Sequence, residues 1–329
     1  MRVGIIGCGL IGQKRASNLA WAKLGYCADE NLEKAQYLAA QHSDCQATDD
    51  WQVVVKDAHI DIIIIATPHH LLAEIGLQAM QAGKHVLIEK PAALSPQQLL
   101  PLLDAEQELA VKVRVGFNHR YHRALQQARA LVDSGILGSL MFVRARYGHG
   151  GRLGYDKEWR ANPSVSGGGE LIDQGVHLID LARWFLGEFT EIDGFAHTYF
   201  WDMPVEDNGF MLLKTAQQQT AFLHASCTEW KNTFSFEIYG KQGKIDIQGL
   251  GGSYGVERIA HYQMLPEMGP PMTSIWEYPM ADNSWLVEFS EFLSDIKYNR
   301  QSAANLHDAY MALNIVNKIY KESGYDYST

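Results

Sequence analysis

The chain has 329 residues, 47% of them hydrophobic and 20% charged, with a net charge of −10 at pH 7. That is the composition of an ordinary globular protein, long enough for two domains, and an acidic chain without a basic run excludes nucleic-acid binding, which needs clustered Lys and Arg against phosphates. Cys8, Cys27, Cys45 and Cys227 form no CxxC pair, so neither a zinc knuckle nor a disulfide framework is expected, and the thiols read as reduced and cytoplasmic.

The N-terminal MRVGIIGCGLIG reads as a strand entering a turn rather than a signal peptide, and no apolar run is long enough to span a membrane. Residues 2–6 form a short apolar strand, and GCGLIG opens a helix to about residue 22. A second strand, 26–28, ends at Asp29, and residues 31–42 have helical spacing. The run 60–67 is the most strand-like in the chain. A helix over 70–82 follows, stopped by Gly83. HVLIEKP is a strand closed by Pro91, followed by a helix from 95 to about 110 and a strand over 112–117. This alternation predicts a doubly wound parallel sheet over residues 1–118.

After a helix at 122–134 the pattern changes. Strands are expected at 139–147, 191–201, 209–215, 219–228, 233–240 and 243–248, with one strong helix, 170–186, among them. Residues 264–282, rich in Pro, Met and Gly, read as loop, and helices close the chain at 284–299 and 305–322. Residues 119–329 thus form a second, α+β domain with a mainly antiparallel sheet. Its terminal helices are free to pack back on the first domain.

Gly7, Gly9 and Gly12 make GxGxxG between a strand and a helix, enclosing Leu10 and Ile11. The glycines serve a tight turn, backbone approach to a pyrophosphate, and helix–strand packing, respectively. Asp29 ends the second strand about 20 residues on, placed to accept from ribose hydroxyls. Glu30 and Asn31 follow with no adjacent Arg, which favours NAD over NADP, although Lys14 and Arg15 stand in the first helix.

Two further stretches carry chemistry. Glu89-Lys90-Pro91 sits at the end of a parallel strand, where ligands meet an α/β sheet. GGGELIDQGVHLID, 167–180, runs three glycines into a helix whose positions 173, 177, 180 and 184 share one stripe, as Asp, His, Asp and Trp. A solvated helix face is the plain reading. The absence of Lys, Glu and Arg from the stripe, and its Trp end, favour a proton-handling pair.

GxGxxG, ATP at 66–68, AGKHVLIEKP at 82–91 and GGGELIDQGVHLIDLARWFLG at 167–187 together resemble the Gfo/Idh/MocA oxidoreductase family over essentially the whole chain. The resemblance implies an NAD(P)-binding Rossmann domain and an open antiparallel sheet that builds homodimers or homotetramers. It also implies hydride transfer between NAD(P) and a secondary alcohol of a sugar, sugar derivative or cyclitol bound between the domains. It assigns catalytic roles to Lys90, Asp173 and His177. In that scheme His177 is the general base, Lys90 stabilises the alkoxide, and Asp173 orients His177 or binds a neighbouring hydroxyl.

Thr67, Pro68, His69 and Glu89 join the cofactor-contacting residues. The family often has Asn where His69 stands, and a His where Leu72 stands, so the contacts of that loop differ here. No metal is required, since neither His119-x-x-His122 nor His69-His70 has an acid or Cys cluster nearby. For substrate, Asn118 and His119 face the crevice in this reading. Arg152, Tyr155, Trp159 and Arg160 in GHGGRLGYDKEWR offer aromatic faces for sugar and guanidinium for carboxylate or phosphate. Two other functions fit the same motifs: an NAD-dependent glycosidase, and a non-enzymatic NAD- or sugar-binding regulator.

Overall fold

The computed structural model describes residues 1–267 and 269–325, which divide into two units. The first holds Met1–Phe117, Val165–Gly167 and Trp285–Asn314, and the second Asn118–Ser164, Gly168–Ser284 and Ile315 onward.

In chain order the first unit begins β1 Arg2–Ile6, α1 Leu10–Ala16, β2 Lys23–Ala28, α2 Leu32–Ala39, β3 Gln46–Thr48, α3 Trp51–Lys56, β4 Ile62–Ile65, α4 His69–Gln81, β5 His85–Ile88, α5 Pro96–Glu108 and β6 Val113–Val115. The six strands are parallel, in the order β3-β2-β1-β4-β5-β6. β4 is four isoleucines, all buried, as a strand covered on both faces must be. The strand order reverses between β1 and β4, and the glycine turn leaves the sheet at that switch point.

α1 stops at Ala16 instead of about residue 22 because Ser17 and Asn18 turn their side chains back onto the Gln13 and Lys14 carbonyls. β2 therefore starts early, at Lys23. β3 and α3 were not anticipated; α3 is capped by Asp50, which accepts from Gln52 N–H. The same unit takes its core from far along the chain. Phe289, Phe292 and Leu293 pack with Val3, Ile5, Ile64 and Leu87. They belong to α9, Ser284–Tyr298, after the intervening α6 Arg123–Asp133, α7 Pro163–Ser166 and α8 Val176–Leu186; α10, Leu306–Glu322, follows.

The second unit is built on an eight-stranded sheet in the order β14-β13-β12-β11-β7-β10-β9-β8. In chain order these are β7 Leu140–Gly148, β8 Phe189–His197, β9 Asn208–Thr215, β10 Thr220–Ser226, β11 Thr233–Gly240, β12 Gly243–Gln248, β13 Glu257–Gln263 and β14 Met272–Tyr278. All pairings are antiparallel except β10 with β7. One face, with Val143, Leu213, Leu223, Phe236 and Ile245, is buried.

Two expectations change here. The segment 264–282 is not all loop: β14 lies within it, with Met268 outside the described residues. β14 is an edge strand exposed along most of its length, so it carries no buried face to mark it. β8 ends at His197 rather than near 201, because Tyr199, Phe200 and Trp201 donate their N–H groups to the Asp207 carboxylate instead of a ladder.

Candidate active site

The turn after β1 shows why its glycines are glycines. A Cβ on Gly7, whose φ is +94°, would sit 2.5 Å from Ala66 O, and one on Gly12 would overlap Gly7 O at 1.9 Å. A Cβ on Gly9 would meet nothing within 4 Å. The second glycine thus opens onto space that a pyrophosphate would need, while the first and third fit the protein's own packing. Leu10, 82% exposed, and the half-buried Ile11 complete the turn. Asp29 accepts from Cys8 N at 2.8 Å and Asn31 N at 3.0 Å. These bonds hold the carboxylate at the rim of the glycine turn; Asn31, not Asp29, caps α2.

Arg15 does not reach outward. Its guanidinium is 1% exposed, bonds Glu89 at 2.6 Å and Glu288 on its other side, and stacks on the Trp285 ring at 4.3 Å. Gly116 leaves the room: a Cβ there would lie 2.7 Å from that guanidinium. Two consequences follow. Arg15 is withdrawn from any 2′-phosphate, which strengthens the case for NAD, and Glu89 is a buried anchor for Arg15 rather than an open cofactor contact. Lys90, half-buried, follows it two residues past β5, joined to Pro91 by a cis peptide bond. Thr67 and Pro68 lead into α4, and buried His69 places Nδ1 2.8 Å from Ser166 O.

In the second unit the expected long helix is interrupted. Leu171–Gly175 is a π-helical turn and only Val176 onward is α. Single π turns concentrate at functional sites because they re-aim side chains. The polar stripe is not solvated: Asp173, His177 and Asp180 are all buried, at 5%, 4% and 0% exposure. Asp180 takes a two-pronged bond from Arg120, at 2.8 and 2.5 Å, and is structural. Arg120 and Arg129 lie over the Trp184 ring.

His177 stacks on His119, with ring centroids 3.8 Å apart and planes 24° from parallel. Tyr147 stands edge-on to both. His119 Nδ1 is 3.2 Å from Asn118 Oδ1, and Asn118 donates to Ser284 Oγ. Burial first, then the neighbouring Tyr254 and Asp173, push the Tyr147 phenol well above its ordinary pKa, so it stays protonated. His122 is turned to Glu257, 2.9 Å away. Among the described residues no group of three or more His, Cys, Asp or Glu is arranged around a metal.

The 148–160 loop folds as two short 3₁₀ turns, Tyr155–Lys157 and Trp159–Ala161. Its arginines are committed. Arg160 donates Nε to Asp173 at 3.0 Å, lies over Trp159, and has Glu158 at 3.7 Å; exposed Arg152 pairs with Glu158 at 2.7 Å. Tyr155 is buried and gives its hydroxyl to Glu170 at 2.6 Å. His149 Nε2 lies 3.4 Å from the same carboxylate. Burial lowers the His149 pKa, but Glu170 outweighs it and the net shift is upward.

Sequence reasoning missed Glu170, His149, Tyr147 and Tyr254. Glu170, an acid set among GGG and LI, carried a readable signal; Tyr254, in a short 3₁₀ turn far along the chain, carried none.

A 3-2-1-4-5-6 parallel sheet with a glycine turn and an acid, Asp29, at its switch point defines a dinucleotide-binding oxidoreductase fold. The family description "Oxidoreductase family, NAD-binding Rossmann fold" matches residues 1–117, and "GFO/IDH/MocA C-terminal domain" matches residues 125–246. The chain belongs to the Gfo/Idh/MocA oxidoreductase family and binds NAD through its first unit.

It is 30% identical to levoglucosan dehydrogenase of Pseudarthrobacter phenanthrenivorans over 66% of this chain, a stretch that spans 59% of that enzyme's length. It is 26% identical to D-glucoside 3-dehydrogenase of Escherichia coli over 98% of this chain and 95% of that one. Among solved structures, levoglucosan dehydrogenase in complex with NADH and L-sorbose superimposes with a TM-score of 0.88 at 23% identity, covering 98% of this chain and 97% of that one, a likeness of fold. No helix among the described residues is long and apolar enough to cross a membrane.

Proposed function

We propose that the chain is an NAD-dependent dehydrogenase that oxidises a secondary alcohol of a sugar, sugar derivative or cyclitol in the cytoplasm. The observation that carries this reading is the buried pair of Asp173, on the π turn, and His177, at the start of α8, with His177 stacked on His119 and Asp173 held by Arg160. The dehydrogenases of levoglucosan and of D-glucosides to which the chain is similar act on compounds of this class, by their names.

His177 takes the proton of the substrate hydroxyl, and the ammonium of Lys90 hydrogen-bonds the same oxygen and steadies its developing charge. Asp173, oriented by Arg160, binds the neighbouring hydroxyl or steadies the imidazolium of His177. Asn118, His119, Tyr155 and Trp159 shape the wall around the sugar. NAD, when bound, supplies the hydride acceptor. The commitment of Arg152 and Arg160 to acids favours a neutral substrate over a phosphorylated or acidic one.

Assembly is through the open face of the sheet in the second unit. There Phe195, Leu212, Phe222 and Phe142 are 73%, 50%, 48% and 37% exposed, on the face opposite Leu213 and Leu223. A second copy covering this face makes a homodimer or homotetramer, and sedimentation of the wild type against Leu212→Glu reads it.

Incubating the protein with NAD and a panel of neutral sugars and cyclitols, and following the absorbance of the reduced cofactor, tests the activity. At least one compound should be turned over, with Lys90→Ala and His177→Ala lowering kcat by about 10²–10⁴-fold while NAD still binds. No reduction with any compound overturns the reading. Release of free sugar from a glycoside without net reduction moves the assignment to an NAD-dependent glycosidase.

A further inference from the structure

Three of the four cysteines meet beside the dinucleotide turn. Cys27, on β2, is fully buried, and its Sγ lies 3.6 Å from Sγ of Cys45. Cys45 is half-buried and stands immediately before β3. Cys8, inside the glycine turn, sends its thiol to Ala28 O, and its N–H is the one held by Asp29. Asp29 is two residues beyond Cys27 on the same strand exit.

We propose that Cys45 and Cys27 are an oxidation site at which a peroxide closes a disulfide and thereby weakens NAD binding through the exit of β2. β3 makes this closure feasible. It is the edge strand of its sheet, three residues long and paired only to β2, so its entry can shift by the roughly 1.6 Å that separates the 3.6 Å contact from a sulfur–sulfur bond of about 2.0 Å. Cys45 is the attacking sulfur by exposure. A hydrogen bond from Cys27 lowers its pKa, burial opposes, and Arg2, which bonds the neighbouring Asp44 carbonyl, lowers it further. Cys27, against Cys45 and deep in the core, is shifted upward and remains the thiol.

The chemistry balances. The Cys45 thiolate attacks one peroxide oxygen, the O–O bond breaks, and hydroxide leaves, so sulfur is oxidised to a sulfenic acid and peroxide reduced. The Cys27 thiol then attacks that sulfur, the S–O bond breaks, and water leaves with the thiol proton. The strain falls on the β2–β3 edge and reaches Asp29, whose carboxylate positions the turn at Cys8 N. The inference rests on NAD binding and is independent of which alcohol is oxidised.

The test treats the full chain with hydrogen peroxide, maps peptides by mass and measures NAD affinity by calorimetry. A Cys27–Cys45 link lighter by about 2 Da, with a Kd raised about tenfold and restored by dithiothreitol, is the expected result. Cys45→Ser should keep its Kd under the same treatment. Cys27→Ala should keep it too, leaving a Cys45 sulfenic acid that dimedone traps. A link to Cys8, sulfinic acid on Cys45 of the wild type without a link, or a Cys27–Cys45 link with unchanged Kd each overturns the proposal.

Discussion

Replacing Arg15 by Met leaves two buried carboxylates, Glu89 and Glu288, facing each other without their cation. Removing one partner of a buried pair costs about 3–5 kcal/mol, because the remaining charge is stranded. Proton uptake sets the scale of relief. Keeping one carboxyl of ordinary pKa 4.5 protonated at pH 7 costs 1.36 × (7 − 4.5), about 3 kcal/mol, and at pH 5 under about 1 kcal/mol.

Burial already pushes the Glu288 pKa upward even with Arg15 in place, so in the variant it rises further above the unfolded value. A carboxyl raised in the folded state contributes stability below its unfolded pKa and loses it as pH climbs toward the folded pKa. The gap between wild type and Arg15→Met should therefore be about 3–5 kcal/mol at pH 7.5 and shrink by more than half at pH 5. Urea unfolding read by tryptophan fluorescence measures it, since Trp285 packs on the Arg15 guanidinium. A gap that is equal at the two pH values, or below about 1 kcal/mol at pH 7.5, refutes the reasoning.

Gly12→Ala drives a methyl into the Gly7 carbonyl; strain of about 1–3 kcal/mol should weaken NAD binding by roughly 10- to 100-fold in calorimetry, and unchanged affinity would contradict the packing. Glu206, buried and bonded by Gly169 N, Leu171 N and Tyr320 Oη, has its pKa pushed up to about 7 by burial. Its contribution of about 3 kcal/mol is present below pH 4.5 and lost as pH rises to 7, so Glu206→Gln should flatten that part of the stability profile; an identical slope argues against the shift. Arg160→Met should lower kcat about tenfold or more through Asp173, while Arg152→Met, breaking an exposed pair, should stay within about twofold; equal effects would remove Arg160 as a positioning residue.

Much of the candidate site was readable in the chain order of its motifs. Glycines at 7, 9 and 12, the acid at 29, Lys90 before a proline, and Asp173 four residues from His177 each express a constraint local to one turn or strand end. The stripe through 173, 177 and 180 was legible as a stripe, but its burial was not. A helix looks amphipathic whether its polar face meets water or an arginine such as Arg120, which lies 60 residues from Asp180. The role of the 148–160 loop changed for the same reason. Arg160 reads as an anion binder until Asp173 is found beside it.

What the amino-acid sequence determined by itself is the alternation of buried strands and helices, the glycine turn, and the candidates for the reactive side chains. All of these follow from backbone stereochemistry and from hydrophobic periods spanning a few residues. The tertiary structure alone decided that α9 completes the core around β1 and β4, that Arg15 is caged by Glu89 and Glu288, 74 and 273 residues away, and that His119 lies flat on His177. Those pairings depend on which surfaces the folded chain brings together, and no period along the chain encodes a contact between residues so far apart.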